Sequence, residues 1–207
     1  MICTPCKTLL VLAAAAATVW PQQEPAWQSL FDGQSLKGWK ETAFTGHGTV
    51  KLEDGAIVLG KGYLTGVNFT GTFPKANYEL RMEAQRAEGT DFFAGITFPV
   101  NDSYLTWING GWGGKIVGLS NLDGNDASEN ETSVLRNFER GRWYRLWVAV
   151  TADRVRAWID DELVIDVNIG NKEIGLRPGE IELSKPLGIA SYNTVSKLRK
   201  IEWRPLK

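Results

Sequence analysis

The chain has 207 residues, 43% of them hydrophobic and 23% charged, with a net charge of -1. This balance is ordinary for a soluble globular protein and excludes a broad nucleic-acid surface, because phosphate binding needs a basic excess. Glycine (22) and tryptophan (9) are abundant against 2 methionines, which suits tight turns and pleated strands better than helices.

Residues 1–20 stand apart. Lys7 gives a short positive start, and Leu9 to Ala17 form an apolar run too short to span a bilayer as a mature helix. Ala15 to Ala17 offer a cleavage site ahead of the polar spacer Gln22-Gln23-Glu24-Pro25. This anatomy predicts a signal peptide over 1–20 and a single exported domain over 21–207, periplasmic or extracellular and free of the membrane once the leader is cut. A membrane anchor is the alternative. Cys3 and Cys6 precede the apolar run, so a lipidated cysteine after it is not expected. With both cysteines in the leader, the domain has no thiol nucleophile and no thiolate metal site.

Short alternating segments separated by turns fill the rest. Leu52 to Leu59 reads as a hairpin, with Asp54-Gly55 supplying the positive φ of a tight turn. Tyr78 to Ala84 alternates apolar and charged residues, so one face is buried and the other wet. Phe92 to Phe98 is apolar on both faces, as a central strand should be. Trp143–Val150, Val155–Ile159 and Leu163–Val167 form a three-stranded meander with turns at Asp153 and Asp160-Asp161-Glu162. Gly170 to Glu180 is a loop or at most a short helix. Leu187–Tyr192 and Leu198–Trp203 are again strand-like. Many short strands with regular turns predict an all-β, two-sheet antiparallel sandwich.

The stretch Leu30-Phe31-Asp32-Gly33-Gln34-Ser35-Leu36-Lys37-Gly38-Trp39 resembles the "LFDG-x-SL-x-GW" opening of the 3-keto-disaccharide hydrolase domain family. Gly110-Gly111-Trp112-Gly113-Gly114, Val117 to Ser120 and Asp126 to Thr132 resemble a planctomycete-like branch of that family. The Trp143-Tyr144 meander is similar to the wider concanavalin A-like lectin and glucanase superfamily. The resemblance implies a jelly-roll fold and action on carbohydrate, with cleavage of glycosides oxidised at C3 in some members. Others are binding modules, so a non-catalytic carbohydrate-binding domain and an envelope structural protein stay open as alternatives.

The glycine-flanked acidic segment from Trp107 to Glu131 is the candidate site. Trp107 and Trp112 are expected to stack on a sugar ring, with Tyr104 and Arg136 as further sugar contacts. The alternative for both tryptophans is packing. If 129–131 is extended, Glu129 and Glu131 share a face roughly 7 Å apart, within the range of glycosidase acid/base pairs. Together with Asp126 they are the candidate catalytic carboxylates. A C3 ketone would acidify the C2 proton, which Glu129 or Glu131 would remove while Arg136 or a metal holds the enolate oxygen. Asp123-Gly124-Asn125-Asp126 also offers clustered oxygens, so Asp123 and Asp126 are candidate ligands for a divalent cation such as calcium, although Ser128 stands where an EF-hand needs glycine. A solvated acidic loop is the plainer reading. His47, the only histidine, is expected in a surface turn. Asn68, Asn101 and Asn130 begin Asn-x-Ser/Thr triplets that are read as chance matches.

Overall fold

The computed structural model describes residue 1 and residues 24–206, so the expected signal peptide falls outside the described residues but for Met1. In chain order the strands are β1 (Gln28–Ser29), β2 (Trp39–Glu41), β3 (Val50–Glu53), β4 (Ala56–Leu59), β5 (Thr65–Phe69), β6 (Tyr78–Gly89), β7 (Ala94–Val100) and β8 (Ser103–Gly111). They continue with β9 (Ile116–Ser120), β10 (Val134–Leu135), β11 (Trp143–Val150), β12 (Arg154–Ile159), β13 (Glu162–Asn168), β14 (Gly188–Ser191) and β15 (Thr194–Pro205). Among the described residues the one helical element is a 3-10 turn, Glu180–Ser184.

Every pairing is antiparallel. The eight-stranded sheet runs β13-β12-β11-β6-β15-β4-β3, with β1 also on β15. The seven-stranded sheet runs β10-β9-β8-β7-β14-β5-β2. The chain therefore adopts the two-sheet antiparallel sandwich that its alternation predicts, with the jelly-roll fold that the family resemblance implies. The β3–β4 hairpin turns at Asp54 and Gly55, with φ 51° and 74°. Positive φ at both central residues matches the right-handed twist of the flanking strands.

The core lies between the sheets. From the eight-stranded sheet, Leu80 and Met82 of β6 and Leu146 and Val148 of β11 point inward. They meet Ile96 and Phe98 of β7, Leu105 and Trp107 of β8, and Val117 and Leu119 of β9. The opening motif is structural. Asp32 Oδ1 accepts the Gln34 and Ser35 amides at 2.8 and 2.7 Å, and the buried Trp39 donates its indole N–H to the Leu30 carbonyl at 2.8 Å. These bonds fix the chain's entry beside β15.

The outer face of the eight-stranded sheet is a seam of indoles and charges. Trp147 stacks on Trp158 at 4.5 Å, and Trp27 meets Trp147 edge-on at 6.4 Å. Arg81 and Arg204 lie 3.9 and 4.7 Å over Trp27, and Arg199 lies 3.9 Å over Trp143. Carboxylates thread between them: Glu202 pairs with Arg81, Glu79 with Arg204, and Glu83 with Arg199 and Lys200.

Candidate functional site

The seven-stranded sheet is different on its outer side. On β8 the period of two sends Leu105 and Trp107 inward and Thr106 and Ile108 outward. On β9 it sends Leu119 inward and Ser120 outward. Thr106, Ile108 and Ser120 form the floor of a cleft of about 570 Å³.

One wall is the segment 173–187, moored across the sheet. Asn121 donates its amide to the Gly175 carbonyl at 2.7 Å, Ser103 Oγ donates to the Ile174 carbonyl at 2.6 Å, and Asn68 Nδ2 donates to the Leu183 and Lys185 carbonyls at 2.9 and 3.0 Å. This wall brings Arg177 and Glu180 to the cleft. Both Glu180 oxygens accept the Thr45 amide, at 3.2 and 2.9 Å.

The other wall is aromatic. Tyr192 stacks on Phe92 at 5.8 Å and meets Tyr63 edge-on at 5.1 Å. Tyr63 is 60% exposed and Trp112 is 41% exposed. Desolvation by its neighbours, then the adjacent Tyr63 hydroxyl, holds the Tyr192 phenol above its ordinary value of 10.0, so it stays protonated near neutrality. Asp91 stands between these rings and the glycine loop. Its Oδ1 accepts the Phe92 amide at 2.8 Å and its Oδ2 accepts the Gly113 amide at 3.2 Å. An apolar wall, a polar floor and three charged groups suit a neutral polyol with apolar ring faces.

The candidate residues from the sequence divide. Trp112 lines the cleft. Asp126 reaches its edge, with Oδ2 3.7 Å from Nη1 of Arg177. Tyr104 lies on the same sheet face beyond the cleft lining, its ring 5.9 Å from the Lys185 ammonium. Trp107 must be corrected: it is 0% exposed and packs in the core, because it shares the inward register of Leu105. The expectation of an extended 129–131 also fails. The Asp126 carbonyl accepts the Glu129 and Asn130 amides at 3.0 and 3.2 Å, so the segment is a run of turns and the two glutamates form no facing pair. Neither lines the cleft: Glu129 is exposed, and Glu131 pairs with Lys172 at 2.5 Å. Arg136 is tied to Glu162 at 2.5 Å, which joins the residue following β10 to β13.

Asp123 and Asp126 do not fit a calcium site. Asp123 accepts the Glu173 amide at 2.9 Å and Lys172 at 3.2 Å, and Asp126 Oδ1 accepts the Ser128 amide and hydroxyl at 3.0 and 2.7 Å. The Glu173 amide, then Lys172, holds the Asp123 carboxyl below its ordinary value. Lys172 thus supplies the positive charge that the sequence reading gave to a metal. Among the described residues no group of three or more His, Cys, Asp or Glu is arranged to hold one. His47 is exposed, with Nδ1 2.9 Å from its neighbour's carbonyl. The amides of Asn68, Asn101 and Asn130 are all engaged with main-chain carbonyls.

Sequence reasoning missed Tyr63, Asp91, Arg177 and Tyr192. One signal existed. The span Gly170 to Glu180 is long for a connection between strands, and such loops tend to carry function.

The fold recurs among carbohydrate-active proteins. A candidate glycosyl hydrolase from Parabacteroides distasonis is 13% identical, with a TM-score of 0.57 over 87% of this chain and 94% of that one. The carbohydrate-binding module CBM66 from Bacillus subtilis is 11% identical, with a TM-score of 0.50 over 79% and 93%. Domain 4 of AbnA, a GH43 extracellular arabinanase from Geobacillus stearothermophilus solved with arabinotriose, is 14% identical, with a TM-score of 0.56 over 87% and 91%. No curated protein sequence matches the chain. Residues 26–204, nearly all of the sandwich, match one family along their length, and the chain belongs to it: the 3-keto-alpha-glucoside-1,2-lyase-like domain family.

Proposed function

We propose that the domain binds a 3-keto-α-glucoside in the cleft of the seven-stranded sheet and breaks its glycosidic bond by elimination. The observation that carries this reading is the convergence of two exposed rings, Tyr63 and Trp112, with Asp91, Arg177 and Tyr192 in one cleft. The family description supplies the substrate class. Solved structures of similar fold include a glycosyl hydrolase candidate and a carbohydrate-binding module, so the fold alone does not choose between turnover and binding.

The chemistry follows from the ketone. It acidifies the C2 proton, which the Asp91 carboxylate takes. The electron pair of that C–H bond moves into an enolate, whose oxygen Arg177 stabilises. Collapse of the enolate forms the C1–C2 double bond and expels the C1 oxygen, which takes a proton from the Tyr192 phenol. Water adding across the new double bond would complete a net hydrolysis. Export through the leader at 1–20 belongs to the same reading, since it would bring the domain to external glycosides.

The test is direct. Asp91→Asn should lower turnover of methyl 3-keto-α-glucopyranoside by at least about a hundredfold while keeping its binding, the range expected for loss of a general base. Unchanged turnover would remove Asp91 as the base. A second reading, a non-catalytic binding module, is favoured by one observation: the carboxylates of Asp91 and Glu180 already accept main-chain amides. Binding without any turnover by the wild-type protein would select it.

A further inference from the structure

We infer that Arg86 is a positioning residue for Trp112: it clamps the glycine loop from beneath and so presents the indole to the cleft. This rests on the reading of the cleft as a saccharide site.

Arg86 lies on β6 and is only 7% exposed. Its Nη2 donates to the Gly110 carbonyl at 3.2 Å and to the Gly114 carbonyl at 3.0 Å. Phe93 and Phe138 flank the guanidinium at 5.4 and 5.7 Å. Among the described residues it forms no ion pair with a carboxylate. A buried cation is costly, and here its hydrogen-bond acceptors are the two ends of one five-residue loop.

That loop needs holding. A bulge between Asn109 and Gly111 breaks the β8–β9 ladder and frees the Gly110 carbonyl for Arg86. Gly110, Trp112, Gly113 and Gly114 all have positive φ, at 81°, 49°, 80° and 105°. Positive φ is unfavourable for a bulky residue such as tryptophan, so the surroundings must impose it. Arg86 grips both ends, and Asp91 Oδ2 holds the Gly113 amide at 3.2 Å in the middle. The fit is close: a Cβ on Gly110 would lie 2.2 Å from Nη2 of Arg86, and one on Gly114 would lie 2.6 Å from the Thr90 carbonyl. Gly110, Gly111 and Gly114 are thereby buried while Gly113 and the indole stay open. Both bonds leave one nitrogen, Nη2, whose two N–H groups the planar guanidinium aims at the two carbonyls; a lysine could keep the charge but not that fixed aim.

Hydrogen exchange and binding test the clamp together, using Arg86→Gln, the milder Arg86→Lys, Trp112→Ala and the double variant Arg86→Gln/Trp112→Ala. Arg86→Gln should speed amide exchange across Gly110–Lys115 by at least about tenfold while the β11–β13 meander is unchanged, with Arg86→Lys between it and wild type. It should weaken binding of methyl 3-keto-α-glucopyranoside on the order of tenfold, as Trp112→Ala does, and add nothing further in the Trp112→Ala background. Unchanged exchange across Gly110–Lys115, or losses that multiply in the double variant, would overturn the clamp. Should Arg86→Gln fold poorly, Arg86→Lys carries the same comparisons. If wild-type protein binds no sugar, the saccharide reading fails, and the exchange measurement alone still decides whether Arg86 orders the loop.

Discussion

The two outer faces of the sandwich use the same chemical stock to opposite ends. On the eight-stranded sheet guanidinium groups cover the rings, 3.9 Å over Trp27 and 3.9 Å over Trp143, while Trp147 and Trp158 cover each other at 4.5 Å. On the seven-stranded sheet the nearest guanidinium, Arg177, stands farther off, 5.9 Å over Trp112, and Trp112 and Tyr63 stay 41% and 60% exposed. The difference comes from the chain around them. The first face is built on continuous paired strands, bulged at Trp158 and between Arg199 and Glu202, so charges from neighbouring strands fall onto the rings. The second is framed by the moored segment 173–187 and by the bulged glycine loop, which hold side chains apart. An aromatic beside an arginine is therefore packing or platform according to whether its π face is already used.

Three measurements would break or sharpen that contrast. The largest effect is expected on the closed face. Trp147→Ala should cost about 2–3 kcal/mol of unfolding free energy, somewhat below the range for a fully buried ring, and leave sugar binding unchanged. On the open face the effects should reverse. Trp112→Ala should weaken binding of a 3-keto-α-glucoside about tenfold by calorimetry, and shift unfolding free energy by less than about 0.5 kcal/mol. Stability loss in Trp112→Ala equal to that in Trp147→Ala would erase the distinction.

The smallest effect is acid sensitivity of the charged seam. Hydrogen bonds from Lys197, then Lys51, hold Glu53 at about 2 against an ordinary value of 4.5. Glu83 is also held low: burial pushes it up, but Lys200 and Arg199 outweigh that. A carboxylate depressed on folding binds its proton more readily when unfolded. Its stabilisation is therefore complete above the ordinary value and is lost as pH falls through the folded one. Urea midpoints should decline gently between about 4.5 and 2, and Glu53→Gln should flatten part of that decline. Because the Glu53 side chain is 39% exposed, salt should shrink the effect.

Much of the fold was legible because it is written locally. Asp54-Gly55 and the alternation from Tyr78 to Ala84 each declare themselves within ten residues, and the β11–β13 meander within one unbroken run of neighbouring strands. The site was legible only in part. Trp112 stood out because a run of glycines is poor core material. Trp107 misled for the same reason, although its parity with Leu105 puts it on the inner face. The pairing of Glu129 with Glu131 assumed an extended chain, whereas Asp126 and Asn130 gather their hydrogen bonds into turns. Tyr63, Asp91, Arg177 and Tyr192 come from four separate segments. No local pattern joins them; the side-by-side pairing of β5, β14 and β7, with the segment 173–187 laid across the sheet, does.

The position of β15 has a consequence for how the domain is made. Its partners β6 and β4 lie more than a hundred residues earlier, and it sits between them, paired from Thr194 with Gly89 to Pro205 with Tyr78 on one side and with Ile57 to Leu59 on the other. Until residues 194–205 leave the ribosome the larger sheet is two fragments, β13-β12-β11-β6 and β4-β3, each with an unpaired edge. Such long-range closure is slow, and raw edges are places where strands pair wrongly. The nascent domain is thus a split sheet awaiting its keystone, and the interval before that strand arrives is when a chaperone would matter most.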